Sequence, residues 1–296
     1  MPAGNGHGGQ RFCLYHAPSA SAPRAAVVYV HPFAEEMNKS RRMAALQSRA
    51  FAQAGCAVLQ IDLLGCGDSS GDFTDASWDA WVADVLLACQ WLRARTGAPL
   101  WLWGLRAGCL IAADAARRSH ETCNLLFWQP ATSGKAVLQQ FIRLKTAGNM
   151  LSGKAAGVVP DVRADLARGQ WVEIAGYGLS PAIAEGMERA TLAPAAGLAP
   201  AVGLAPAAGL APAAGLSPSP APAPRARRLE LFEISNRPDP ALSPASSATA
   251  ELWRVAGCAT RAQVVQGPAF WQTSEIEEVP QLIAATTMAL QETVDA

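Results

Sequence analysis

The sequence predicts an α/β fold in which a mostly parallel sheet is covered by helices on both faces. One observation is alternation, because short apolar runs are separated by segments whose apolar residues recur at helical spacing. A second is the character of the runs, which are apolar throughout, as in Ala26-Val27-Val28-Tyr29-Val30. Strands with this pattern are typical of parallel sheets buried on both faces.

The predicted elements follow one another in a simple order. The first half contains strands at 26–30, 57–61, 100–103 and 125–128, with helices at about 39–54, from about 78, and at 106–118. The second half contains a strand at 229–234, a helix from about 243, a strand at 262–266 and a helix at about 276–293. Because a helix separates most consecutive strands, neighbouring strands can run parallel.

Two segments interrupt the alternation. Residues 134–191 are amphipathic, with one strand candidate at 171–174, and we expect a helical cap inserted into the domain. In residues 192–224 a Leu-Ala-Pro-Ala-Ala-Gly motif repeats, and its regular prolines predict a disordered linker. A six-residue β-helix repeat is the alternative, although Ala- and Pro-rich rungs would bury little. The predicted order is an N-terminal extension, core, cap, linker and core, at 1–24, 25–133, 134–191, 192–224 and 225–296.

Composition narrows the function classes. The chain has 296 residues with 24 Lys and Arg against 24 Asp and Glu, so it offers no basic stripe for nucleic acid. We expect no nucleic-acid partner and no membrane span, since apolar runs are far shorter than ~20 residues. With no secretory signal visible, a cytoplasmic location is predicted. The seven cysteines form no CxxC pair, so neither a metal nor a cofactor is predicted.

Chemistry-bearing residues follow three of the predicted strands. Ligands of open parallel sheets bind outside the carboxyl ends of the strands. The first strand is followed by a segment with His31, Glu35 and Asn38. The second precedes a Gly-rich turn with Asp68, and the third precedes Gly104-Leu105-Arg106-Ala107-Gly108.

These three segments, in this order, resemble the α/β-hydrolase superfamily: an oxyanion loop, a D-x-x-G-x-G-x-S turn and a nucleophile elbow, G-x-S-x-G. Longer stretches at 31–43, 61–73, 101–108 and 267–273 are similar to the exosortase A system-associated hydrolase 2 family. The resemblance implies an α/β-hydrolase fold and a role beside bacterial exosortase and PEP-CTERM sorting genes, in exopolysaccharide export. It also implies hydrolysis of an ester, thioester or activated acyl group.

The residues depart from the superfamily pattern at two positions. Arg106 stands where the elbow carries its nucleophile, and a guanidinium stays protonated and cannot attack an acyl carbon. No histidine follows His120, whereas the superfamily order places the base near the C-terminus. Asp239 follows the strand at 229–234 as the acid of a triad would, although Asp in a Pro-flanked turn is also common for local reasons. The usual triad is therefore incomplete.

Three hypotheses remain open for the elbow. Arg106 could bind a small anionic or acyl-containing ligand, with His31, Glu35, Asn38, Asp68 and Asp239 as further candidate ligand-binding residues. It could instead form an internal ion pair with Glu35, Glu36, Asp68 or Asp239, in a pseudo-enzyme that acts as a binding or scaffold protein for the exosortase and exopolysaccharide system. A third hypothesis keeps catalysis with another nucleophile: Cys66, Ser69, Ser70 or Cys109.

Overall fold

A computed structural model describes residues 1–2, 8–151, 161–194 and 226–292 of the chain. In these residues, seven strands form one sheet in the order β1-β3-β2-β4-β5-β8-β9, and β6 pairs with β7 separately. The strands are β1 (Cys13–His16), β2 (Ala26–Val30), β3 (Ala57–Ile61), β4 (Leu100–Leu105), β5 (Cys123–Trp128), β6 (Val172–Ile174), β7 (Tyr177–Leu179), β8 (Ala226–Ser235) and β9 (Ala259–Gln266). The α/β fold with a mostly parallel sheet is confirmed.

Helices cover both faces of this sheet. They are α1 (Glu35–Gln53), α2 (Trp78–Arg93), α3 (Gly108–Arg118), α4 (Gly134–Leu151), α5 (Val162–Ala167), α6 (Pro181–Arg189), α7 (Pro244–Val255) and α8 (Pro280–Glu292). Residues of β2 alternate between two apolar clusters, with Val28 packed beside residues of α2 and α3, and Val27 beside residues of α1 and α8. This period of two explains why the strand is apolar throughout.

The sheet extends further toward the N-terminus than the sequence predicts. β1 lies within the segment assigned to an N-terminal extension, and it pairs antiparallel with β3 at the edge of the sheet. Leu14 and Tyr15 of this strand are exposed, so the run lacks the continuous apolar character of the central strands. A half-exposed edge strand gives a weaker sequence signal than a buried one.

The segment predicted as a cap contains α4, α5, the β6–β7 hairpin and α6. α6 packs closely on α2, because a Cβ on Gly186 would lie 2.0 Å from the Cβ of Trp78. At the start of α6, Ser180 caps the helix and its hydroxyl donates to the Ala76 carbonyl at 2.8 Å. These contacts fix the cap on the core, and the predicted linker lies outside the described residues from residue 195 onward.

Candidate active site at the carboxyl ends of the strands

A sharp turn joins β4 to α3, and Arg106 stands at its apex with a φ of 55°, which non-glycine residues rarely adopt. The two glycines on either side are required by close packing. A Cβ on Gly104 would lie 2.6 Å from the backbone nitrogen of Cys109, and one on Gly108 would lie 2.3 Å from the Val30 carbonyl oxygen. The backbone of a nucleophile elbow is therefore present, although the side chain at its apex is a guanidinium.

Arg106 forms an ion pair with Glu36, with 3.2 Å between its Nε and the carboxylate Oε1. The two side chains are only 16% and 12% exposed. Glu36 lies in the first turn of α1, where the helix dipole favours negative charge. Burial raises the pKa of Glu36, and the Arg106 guanidinium opposes this shift. The charge on the elbow is thus compensated within the protein.

The stretch at 267–273, which the superfamily resemblance places at the histidine turn of the triad, carries an aromatic ring and an amide. Trp271 is buried, and the guanidinium carbon of Arg106 lies 5.6 Å from the centre of its ring, a distance typical of a cation–π contact. The Gln272 side-chain amide lies 3.5 Å from the same Glu36 oxygen that pairs with Arg106. Arg106 is therefore held by a carboxylate on one side and an indole on the other, and the stretch at 267–273 contains no histidine.

The cap helix α4 closes over the elbow and leaves a cavity of about 40 Å³. This volume is close to that of one water molecule in the liquid, ~30 Å³, and far below the ~300 Å³ of small ligand pockets. Phe141 of α4 packs against Phe33 with 4.9 Å between ring centres. The lining residues are Phe33, Glu35, Glu36, Arg106, Val137, Gln140, Phe141 and Leu144. The cavity beside Arg106 is therefore small in this conformation.

Both ring nitrogens of His31 form hydrogen bonds with backbone atoms. The Leu63 amide donates to its Nε2 at 3.3 Å, so the ring proton is on Nδ1, which donates to the Pro32 carbonyl at 2.8 Å. Burial lowers the pKa of His31 and favours this neutral form. Because both ring nitrogens are engaged, His31 ties the end of β2 to the loop after β3. Its contact with a ligand stays a prediction.

The other candidate ligand-binding residues are distributed unevenly around the elbow. Glu35 lines the small cavity, and its Oε2 atom is buried with no hydrogen-bond partner among the described residues. Asn38 lies on the exposed face of α1, where its amide donates to the Tyr177 hydroxyl at 3.4 Å. Asp68 and Asp239 are exposed in the turns after β3 and β8. Of these, Glu35 is the one that shares the cavity with Arg106.

The alternative nucleophiles are engaged in structural contacts or disfavoured as anions. The Ser69 hydroxyl accepts from the Phe12 amide, and that of Ser70 accepts from the Gln10 amide, both at 2.9 Å, so these serines attach the N-terminal segment to the turn after β3. Burial raises the pKa of Cys66 to about 12 and raises the pKa of Cys109 well above its ordinary value. Neither thiol is poised to form a thiolate near neutral pH.

Sequence reasoning named Glu36 as one of four carboxylates that could pair with Arg106, but it did not include Glu36 among the site residues. Trp271 and Gln272 lie in the stretch at 267–273 but were not predicted as site residues, and neither was Phe141 of α4. A signal for Glu36 is present in the sequence, because a carboxylate in the first turn of a helix is favourably placed for an adjacent cation. No comparable signal identifies Phe141 before the cap is seen folded.

Two searches of the described residues were negative. They contain no group of three or more His, Cys, Asp or Glu side chains arranged to hold a metal ion. Within the same ranges, no helix has both the length and the apolar character needed to cross a bilayer.

A parallel sheet with an elbow after its central strand and a cap above it is the architecture of α/β hydrolases. Solved structures with this fold cover nearly the whole chain. Est1E from Butyrivibrio proteoclasticus, with ferulic acid bound, has a TM-score of 0.60 and 13% identity, covering 97% of this chain and 96% of its own. A hydrolase from Agrobacterium vitis S4 has a TM-score of 0.56 and 16% identity, and the match covers 99% of this chain and 97% of that protein. A soluble variant of monoglyceride lipase from Saccharomyces cerevisiae has a TM-score of 0.55 and 13% identity, and the match covers 98% of this chain and 94% of that protein.

Sequence comparison gives the family. The model of the serine aminopeptidase S33 family, Hydrolase_4, matches residues 21–171, about half of the chain, and the protein belongs to that family. The matched range includes the elbow, the turn after β3 and much of the cap. No curated protein matches the chain significantly in sequence. At such low identities the solved structures establish the fold alone.

Proposed function

We propose that this α/β-hydrolase-like protein is a pseudo-hydrolase that serves as a binding or scaffold protein of the exosortase A, PEP-CTERM and exopolysaccharide system in the cytoplasm. The observation that carries the proposal is the Arg106–Glu36 ion pair, which stands where a nucleophile would be activated. A permanently charged guanidinium cannot attack an acyl carbon. The exosortase association rests on the long segments at 31–43, 61–73, 101–108 and 267–273.

A small anionic or acyl-containing ligand would share Arg106 with Glu36 or replace Glu36. The guanidinium has the planar fork that matches a carboxylate or a phosphate, and Glu36 pairs with its Nε. The cavity of about 40 Å³ beside Arg106 offers little room, so ligand binding would involve rearrangement of the residues that line it.

Hydrolysis of an ester, thioester or acyl group is the second candidate. Membership of the S33 family favours it, and the monoglyceride lipase described above has the same fold. Against it stand the absence of a histidine after His120 and the raised pKa values of Cys66 and Cys109. The pseudo-hydrolase proposal is the simpler account of the site.

Hydrolysis and ligand binding are separable in one set of assays. The purified full chain and an Arg106→Ala variant would be incubated with p-nitrophenyl butyrate and with an acyl thioester, and we expect release no faster than in buffer for both. Turnover that disappears in Arg106→Ala would overturn the proposal. In parallel, acetyl phosphate and butyrate would be added in a thermal-shift assay, where an increase in Tm that requires Arg106 supports the anion site.

The exosortase association has its own test. In a bacterium that carries the exosortase genes, deletion of the gene for this chain should lower exopolysaccharide export, and expression of the full chain should restore it. Unchanged export after deletion would contradict the association without affecting the conclusions on the elbow.

A further inference from the structure

A large cavity lies at the opposite end of the sheet from the elbow. It has a volume of about 650 Å³, within the range of ~300–1,000 Å³ that accommodates small ligands. It opens where β4, β5, β8 and β9 begin, beside the last turn of α2. The lining residues are Arg24, Arg93, Gly97, Ala98, Pro99, Leu100, Trp101, Thr122, Cys123, Asn124, Arg227, Arg228 and Ala259.

The charge of this lining is one-sided, with four arginines and no carboxylate. Two of the arginines have carboxylate partners that lie outside the lining. Arg93 pairs with Glu121, and the Nε of Arg228 lies 2.8 Å from Glu230. Arg227 is exposed, and its side chain makes no ion pair with any other described residue. Arg227 therefore contributes a positive charge to the lining that no carboxylate of the described residues pairs with directly.

We propose that this amino-end cavity binds a phosphate-bearing small molecule, with Arg227 and Arg93 as the principal phosphate contacts. Guanidinium groups bind phosphate oxygens bidentately, and several arginines around one cavity match a group with more than one negative charge, such as a diphosphate. Asn124 offers a side-chain amide, and Thr122 offers a hydroxyl, to polar groups of the same ligand. The site is about as far from the elbow as the sheet allows and does not depend on the proposed function.

Isothermal titration calorimetry tests this proposal on the purified full chain at low salt. The probes are inorganic pyrophosphate, ADP and, as an uncharged control, adenosine. We expect pyrophosphate and ADP to bind and adenosine not to bind. If ADP binds more tightly than pyrophosphate, the cavity also contacts the organic part of a phosphate ester; similar affinities place the recognition in the phosphates. Absence of binding by both charged probes would overturn the proposal.

Three variants locate the binding. Arg227→Ser should weaken pyrophosphate binding about tenfold, the loss of one charge-assisted contact. Arg93→Ser, which removes the partner of the exposed Glu121 and the donor to the Thr122 carbonyl, should weaken it by a similar factor. Arg237→Ser is the matched control, because Arg237 is an exposed arginine in the turn after β8, at the other end of the sheet. If Arg237→Ser weakens binding as much as Arg227→Ser, the attraction is a general surface effect and the proposal fails.

Discussion

The two ends of the parallel strands differ in how their arginines are paired and in the size of the cavity that these arginines line. At the carboxyl end, Arg106 is paired with Glu36 under the cap, and a cavity of about 40 Å³ remains. At the amino end, four arginines line a cavity of about 650 Å³ whose lining contains no carboxylate. The usual rule places ligands at the carboxyl end of such sheets. Here the end with the active-site backbone geometry has the small cavity, and the end without it has the large one.

This difference shows that a protein can keep the backbone geometry of an active site without the side chain that performs the chemistry. The turn at Arg106 keeps its positive φ and its two closely packed glycines, although it carries no nucleophile. Backbone strain of this kind costs on the order of 1 kcal/mol and persists where the surroundings enforce it.

The largest effect is expected from paired glycine substitutions, one at each end. Gly108→Ala places a methyl group against the carbonyl oxygens of Val30 and His31, and backbone atoms cannot yield as a flexible side chain can. We expect a loss of more than about 4 kcal/mol in the free energy of unfolding, measured by urea denaturation. Gly97→Ala, at the amino-end cavity, meets no atom within 4 Å and should change stability by less than about 1 kcal/mol. Similar losses in both variants would contradict the packing argument.

Removal of the elbow charge should have the next largest effect. Arg106→Met leaves Glu36 nearly buried without its cation, and we expect a loss of about 3 kcal/mol in the free energy of unfolding. The double variant Arg106→Met/Glu36→Gln should recover part of this loss, because the uncompensated carboxylate is gone. Additive effects in this double-mutant cycle, again by urea denaturation, would mean that the pair is not energetically coupled.

A smaller effect concerns the pH dependence of stability through His31. Burial lowers the pKa of His31 in the folded protein, so the unfolded chain binds more protons below the ordinary value of about 6.5. The stabilisation is present above that pH and is lost as the pH falls toward the lowered pKa, by at most about 1.4 kcal/mol per pH unit. Glu36, whose pKa is raised, acts in the opposite direction because protonation relieves its buried charge. The contribution of His31 therefore has to be isolated by substitution.

The measurement compares unfolding free energies between about pH 7.5 and about pH 5.5. His31→Gln should show a flatter acid dependence than the wild type. His120→Gln serves as the control, because His120 is exposed and should leave the slope unchanged. His16 also has a pKa lowered by burial and adds a smaller slope of the same sign in all three proteins. An identical slope in His31→Gln and the wild type would remove His31 as the cause.

The smallest effect is expected from thiol labelling at both ends. Cys66 at the carboxyl end and Cys123 in the amino-end cavity both have pKa values raised to about 12 by burial. We expect iodoacetamide to label them far more slowly in the folded protein than after denaturation, followed by mass spectrometry of the peptides. Fast labelling of Cys66 in the folded chain would revive it as a nucleophile, whereas fast labelling of Cys123 alone would report only an open cavity.

The sequence predicted the central strands well and the edges less well. Strands such as β2 are buried on both faces, and an apolar run is an adequate signal for them. β6 lies within the strand candidate at 171–174, whereas β1 and β7 were not predicted, because they are short and half-exposed and their residues carry little periodic information. For the site, motif spacing located Arg106 at the elbow. The selection of Glu36 over three other carboxylates depends on how α1 is docked, which periodicity does not specify.

The amino-end cavity illustrates a different limit of sequence reasoning. Its four arginines come from three separate places: before β2, at the end of α2, and at two adjacent positions of β8 that follow the repeats. They come together only when the strands pair in the folded sheet. With equal numbers of acidic and basic residues in the chain, composition gave no indication of a local excess of positive charge.

The paired glycines around Arg106 have a practical consequence for recognising distant members of the superfamily. A pattern search that requires serine at the centre of G-x-S-x-G would pass over this chain. Gly104 and Gly108 are demanded by neighbouring backbone atoms, whatever side chain stands between them. A search built on the two glycines and their flanking strand and helix would retrieve such proteins, because it selects for the backbone geometry of the turn and does not require a nucleophile.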